Sequence, residues 1–303
     1  MLSLVKQLYR TTRDLPADIA AICHVVFWSW IGWFPFLFYG STWVGEIYLR
    51  YDAPKTASGI PQGDALSKVG RIGSKALIVF SLVSFGASLA LPWLVKSPDD
   101  DEKPGFTPRP PQSLEGVLKR LHLTGKPSLL STWAFANLLF AVSMIFAPFV
   151  RSVHFATLLV ALAGIPWSVT GWAPFALLGV EISRLGNTLP TTNRKRAASE
   201  KEMENAANSP RTEKASSSAS SGELAGVYLG ILNLYTTLPQ FVGTGISTVV
   251  FSILEPGKSR ELSGDDGGDV PVKEGYSGIG VCLFIGAICA FGAAWSTRKL
   301  RRA

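Results

Sequence analysis

Ser29–Trp43, SWIGWFPFLFYGSTW, holds three tryptophans, four further aromatics, two glycines and a mid-segment proline, and carries no charged side chain. A helix of that composition has no polar face to turn toward water. Three settings accept it: a packed interior, contact with lipid, or the wall of a binding cavity. The stretch continues an apolar run that begins near Ile19 and is read as a span to Tyr39. Five more runs follow at about Ser74–Val95, Ser128–Val150, Phe155–Ile182, Leu224–Leu254 and Tyr276–Trp295. Each has the ~20 residues or more that a helix needs to cross hydrocarbon. Only 17% of the 303 residues are charged, against about 25% in soluble domains. The fold class expected is an all-α integral membrane protein, a six-transmembrane-helix bundle. In hydrocarbon every backbone polar group needs an internal partner, and these runs lack the period of two that a strand requires.

The charges set the topology. With the spans alternating, one side of the membrane receives 20 Lys and Arg residues and the other receives 9. This bias predicts both termini in the cytoplasm, so the net charge of +7 reads as a membrane signal and no nucleic-acid partner is expected. Residues 1–18 read as a basic amphipathic cytoplasmic segment lying on the bilayer. The bundle occupies 19–295 and a basic tail 296–303. Within the bundle, Gly40–Gly73 reads as a long outer loop. Lys96–Pro127, with four prolines between Pro104 and Pro111, reads as an extended linker. Residues 183–223, rich in Ser, Asn, Lys and Glu, read as a disordered cytoplasmic loop.

Few residues suit catalysis. The three histidines, at 24, 122 and 154, have no metal-ligand spacing, and Cys23, Cys282 and Cys289 all fall inside spans as small apolar fillers. No Gly-x-Ser-x-Gly turn and no pair of intramembrane carboxylates appears. The chain is therefore expected not to be an enzyme and to need no cofactor. A transport reading has more support. Pro35, Pro92, Pro148, Pro166, Pro174 and Pro239 interrupt or edge the spans. Each removes a helical hydrogen bond, which a membrane helix tolerates through packing or where it lines a cavity. Polar residues within the spans are uncharged: Ser29, Asn137, Ser168, Thr170, Asn233, Thr236, Thr237 and Gln240. Asn233 and Gln240 stand seven apart and share a helix face. Such a face serves either as interhelical glue or as a hydrogen-bonding site for a hydroxylated ligand. Trp28, Trp30 and Trp33 lie mid-span, away from the interfaces where belt tryptophans collect, which favours a cavity wall. Trp30, Trp33, Phe34 and Leu37 are expected along one side of the helix.

Trp30–Phe38 (WIGWFPFLF) with Trp43–Tyr48 (WVGEIY) resembles the seventh span of the sucrose transporter family, glycoside–pentoside–hexuronide:cation symporters of the major facilitator superfamily. Gly164–Pro166 (GIP) with Pro174–Leu177 (PFAL) is similar to that family's tenth span. Tyr228–Leu234 (YLGILNL) with Pro239–Gln240 resembles its eleventh. The likeness runs from about Val25 to Trp295, and FYGSTWVGE with the long inner loop looks fungal. Plant members place paired aspartates before the tryptophan matched by Trp43 and an arginine before the glutamate. Here Gly40–Ser41–Thr42 stand there, and Glu46 is what remains of that cluster. The resemblance implies the C-terminal half of a proton-coupled sucrose or α-glucoside transporter, with a proton as coupling ion. It implies a multi-pass plasma-membrane location and a partner, either a missing N-terminal six-helix half or a second copy. Trp30, Trp33, Asn233 and Gln240 would face the sugar, with Trp167 and Thr170 beside the Pro166 kink, and Glu46 would couple protons or gate. The alternatives are a truncated fragment without transport and a membrane sensor or scaffold acting through its cytoplasmic loop.

Overall fold

The structure, a computed structural model, describes residues 15–53, 62–96, 126–188, 213–255 and 277–300. The surface segment up to residue 14, the linker at 97–125, residues 189–212 of the polar loop, the outer loop at 256–276 and the tail at 301–303 lie outside the described residues. Seven α-helices occupy the described chain: α1 Ala17–Ile47, α2 Gln62–Leu94, α3 Leu129–Met144, α4 Val153–Thr170, α5 Ala173–Thr188, α6 Glu213–Leu254 and α7 Gly278–Leu300. Six stretches are long and apolar enough to cross a membrane, the fourth being α4 and α5 in tandem over Val153–Leu185. The protein is an all-helical, multi-pass membrane protein.

Several of these elements run further than their sequence signals indicated: α2 already begins at Gln62 within the stretch read as outer loop, α5 runs to Thr188 and α7 to Leu300, and α1 and α6 extend most tellingly. The helix α1 does not stop at Tyr39; it passes Gly40 and continues as a π-helical turn, Tyr48–Asp52. Gly40, Ser41 and Thr42 look like loop residues, yet here small residues admit a neighbouring helix. Gly45 lies against Val69, and a side chain on Gly73 of α2 would strike the Ser41 carbonyl. The helix α6 begins at Glu213, inside the segment read as disordered. Its first turns, EKASSSASSGEL, are rich in serine with some Glu, Lys and Ala, and they extend a helix that an apolar span already anchors.

The long fourth span breaks where its proline requires it. Pro174 has no N–H to give the Thr170 carbonyl, and the chain turns through Gly171–Trp172, with the Trp172 N–H donating to the Val169 carbonyl at 3.2 Å. Pro35 and Pro239 instead stay inside α1 and α6.

The centre of the bundle is α1, packed against α7, α6 and α2, while α4 packs on α2 and α3, and α7 on α3. Glycines bring the α1 and α7 backbones together. A methyl group on Gly32 would lie 2.6 Å from the Gly286 carbonyl oxygen, and one on Gly286 would lie 2.9 Å from that of Gly32. Close approach of this kind is how helices associate where lipid removes the hydrophobic drive. Burial follows the same plan. Within the most apolar window of each span, 56% of α1 is buried, against 22% of α6 and 6% of α2. The outer surfaces of α2 and α6 expose large apolar side chains, Leu82 and Phe85 on one and Phe241 and Ile253 on the other. In a membrane protein such faces meet lipid or another helical unit.

Candidate functional site

The two faces of α1 diverge at its tryptophans. Trp33 is 1% exposed and packs inward, its ring 4.1 Å from Phe140 on α3, 5.5 Å from Phe36 and 5.1 Å from Trp167 on α4. Trp30, Phe34 and Phe38 form the other face, with successive ring centroids 5.5 and 5.6 Å apart. Trp30 and Phe34 are half-buried, and Leu37 and Phe38 are exposed. Trp167, also half-buried, joins the faces at 6.2 Å from Trp30. The four residues expected on one side therefore divide: Trp30, Phe34 and Leu37 face outward, and Trp33 stands behind them as core. Positions 30, 34 and 37 recur at helical spacing, whereas 33 falls with 36 and 40 on the opposite flank.

Pro35 and Gly243 set the second half of the site. Gly243 of α6 packs beside Phe34 and Pro35, close to the Ile31 carbonyl that Pro35 leaves without its helical donor. Below this contact, Thr236 and Gln240 are half-buried, and Asn233 is exposed. The hydroxyls of Thr236 and Thr237 donate to the Asn233 backbone carbonyl. Neither the Asn233 nor the Gln240 carboxamide hydrogen-bonds to another described residue. Continuing upward at the same spacing, Thr244 and Thr248 are exposed. Asn233, Thr237, Gln240, Thr244 and Thr248 thus make one polar stripe along a helix otherwise covered with Leu, Val and Phe. Sequence reasoning stopped at Gln240; carrying the interval of three and four residues onward finds the last two.

Other polar groups are committed within the bundle. The Ser29 hydroxyl donates to Asn137 Oδ1 at 2.7 Å, and Asn137 Nδ2 donates to the Trp133 carbonyl at 3.1 Å. This amide is interhelical glue. Ser168 donates to the Ile165 carbonyl at 2.7 Å. Thr170 is buried at the break between α4 and α5, its hydroxyl without a described partner. It lines the inside of the bundle and shares no surface with the stripe.

Glu46 is neither a loop residue nor solvated. It lies in the last turn of α1, its side chain 17% exposed, with Arg50 Nη2 2.6 Å from Oε1 and the Ser277 hydroxyl donating to Oε2 at 2.6 Å. Sequence reasoning missed both partners. Arg50 stands at the i+4 spacing of a helical ion pair, a signal hidden by reading the region as loop; Ser277 is 231 positions away and left no signal. At the opposite end Glu181 pairs with the exposed Arg184 at 3.5 Å. Arg298 lies 4.0 Å over the Trp295 ring, an arrangement suited to a membrane interface. An open groove of about 450 Å³ follows α2 along Ser74, Leu77, Ile78, Ser81, Leu82 and Phe85. Its lining is mostly apolar and comes from one helix, so it has too few converging polar groups for a sugar site.

Two known proteins are similar to this chain in sequence. The general alpha-glucoside permease of Schizosaccharomyces pombe is 28% identical over 333 aligned positions, covering 94% of this chain and 51% of the permease. A sucrose transport protein of Arabidopsis thaliana is 23% identical over 202 positions, covering 61% of this chain and 32% of that protein. Both are named for carrying sugars. The chain spans about half the length of the permease it matches. No family model matches the chain.

Proposed function

We propose that this chain is a six-helix half of a membrane carrier for sucrose or a related α-glucoside, corresponding to the C-terminal half and closer to fungal than to plant carriers. The observation that carries this reading is that α1, with the ring cluster Trp30–Phe34–Trp167, meets α6 where Gly243 packs on Phe34 and Pro35, and α6 carries the carboxamides of Asn233 and Gln240, which have no hydrogen-bond partner among the described residues. Indole planes take the C–H face of a sugar ring. Amides and hydroxyls supply the donors and acceptors that its hydroxyl groups need. Trp33 supports Trp30 and Trp167 from behind, and Thr170 supports the break beside Trp167. Their part is to hold the wall.

The exposed apolar faces of α2 and α6 suit docking of a second six-helix unit, either an N-terminal half or another copy, with the sugar held between the two. The carrier works by proton symport, lies in the plasma membrane and keeps both ends of this chain in the cytoplasm, as the charge asymmetry indicates. The test is expression in a yeast unable to import sucrose or maltose, with this chain alone and together with a six-helix partner unit. Uptake that rises as the medium is acidified and stops with a protonophore supports the proposal. Absence of sugar uptake and of sugar binding in both arrangements overturns it.

A further inference from the structure

The outer end of the bundle holds a charged junction away from the aromatic wall. Glu46 Oε2 accepts the Ser277 hydroxyl at 2.6 Å, and Arg50 lies 2.6 Å from Oε1. Arg50 and Glu46 are 11% and 17% exposed. At 2.6 Å the Arg50 contact is a charge-assisted one between guanidinium and carboxylate. Ser277 directly precedes α7, and its hydroxyl also accepts the Gly280 N–H at 3.1 Å. Glu46 thus reaches from the end of α1 to the cap of α7.

The turn that carries Arg50 reaches further. Asp52, two residues on, accepts the Val153 N–H at 2.8 Å, in the first turn of α4. Glu255, just past α6, accepts the Gly278 N–H at 3.3 Å, in the first turn of α7. Carboxylates belong at helix N-termini, where unpaired N–H groups and the helix dipole favour negative charge. Three carboxylates therefore join the outer ends of α1 and α6 to the starts of α4 and α7. Glu46 bonds a side-chain hydroxyl with one oxygen and has the Arg50 guanidinium at the other. Without that cation, a carboxylate held by one hydroxyl would be free to turn toward water.

We propose that Arg50 is a positioning residue that fixes Glu46, and that Arg50–Glu46–Ser277 is a clasp making α1 and α7 move as one piece when the aromatic wall opens and closes. Glu46 acts through this clasp and not as a proton carrier. The consequence for transport rests on the carrier reading above; the clasp itself is measurable without transport.

The test is a mutant cycle in the full chain, with melting read on protein purified in lipid nanodiscs and sugar uptake read in the yeast cells above: Glu46→Gln, Arg50→Gln, and the two together. Each single change breaks a largely buried contact, and Arg50→Gln leaves the Glu46 carboxylate without that cation, so each is expected to lower the melting midpoint by about 5 °C. The double variant falls no further than the worse single, and sugar uptake lost in either single partly returns in the double. If a single variant fails to insert, Glu46→Asp or Arg50→Lys takes its place in the cycle. Melting losses that simply add overturn the clasp. A double variant that regains its midpoint but not its uptake overturns the assigned role, because Glu46 would then act in its own right. If no variant and no wild-type arrangement transports sugar while the melting cycle is non-additive, the carrier reading fails and the clasp stands.

Discussion

Two regions of this bundle use the same side chains for opposite ends. In the closed region, Trp33 is packed among Phe36, Phe140 and Trp167, and the Asn137 amide is consumed by Ser29 and the Trp133 carbonyl. In the open region, Trp30 and Phe34 are half-buried at the edge of the core, and Asn233 and Gln240 have carboxamides with no described hydrogen-bond partner. An amide facing hydrocarbon is costly unless something answers it. The closed region answers the Asn137 amide within the bundle, and the open one leaves the Asn233 and Gln240 amides without a described partner.

That difference makes substitutions at like residues diverge. The largest effect on stability is expected from Trp33→Ala, a loss of about 3–5 kcal/mol for a buried aromatic, visible as poor recovery of folded protein and a lower melting midpoint. Trp30→Ala is expected to cost about 1 kcal/mol or less while abolishing sugar binding; equal instability in both would erase the distinction between the faces. Next, Gly286→Ala forces a methyl group against the Gly32 carbonyl and is expected to cost about 1–3 kcal/mol, read from the same melting curves. Asn137→Leu strands the Ser29 hydroxyl and should cost about 1 kcal/mol, with sugar affinity unchanged in a binding assay. Smallest in stability is Asn233→Leu, expected within about 0.5 kcal/mol of wild type yet weakening sugar binding about tenfold or more. A stable, fully binding Asn233→Leu variant would move the amide stripe out of the site.

The membrane architecture was legible because crossing hydrocarbon demands long apolar runs, and six are present. Which face of α1 turns inward was not legible. The span is apolar all round, so the periodicity that orients a soluble helix is missing, and Trp30 and Trp33 look alike until Phe140 and Trp167 are placed. The end of α1 that carries Glu46 was hidden for another reason. Gly40, Ser41 and Gly45 signal a loop by propensity, but α2 approaches closely there, and packing outweighs propensity. Glu46 was consequently found as a residue and missed as a junction. On α6 the pattern read well: Asn233 and Gln240 stand out against Leu, Val and Phe, and their spacing alone put them on one face.

The central claim is that Trp30, Asn233 and Gln240 border a sugar passage. It is tested most directly by thiol labelling in membranes, with single cysteines introduced by Asn233→Cys, Gln240→Cys and, as the closed control, Asn137→Cys, in a chain whose own Cys23, Cys282 and Cys289 are replaced by alanine. The account expects a membrane-impermeant reagent to modify positions 233 and 240, sucrose or maltose to slow that reaction, and position 137 to stay unreactive. Modification of 233 and 240 only by a lipid-soluble reagent, unaffected by sugar, would contradict it.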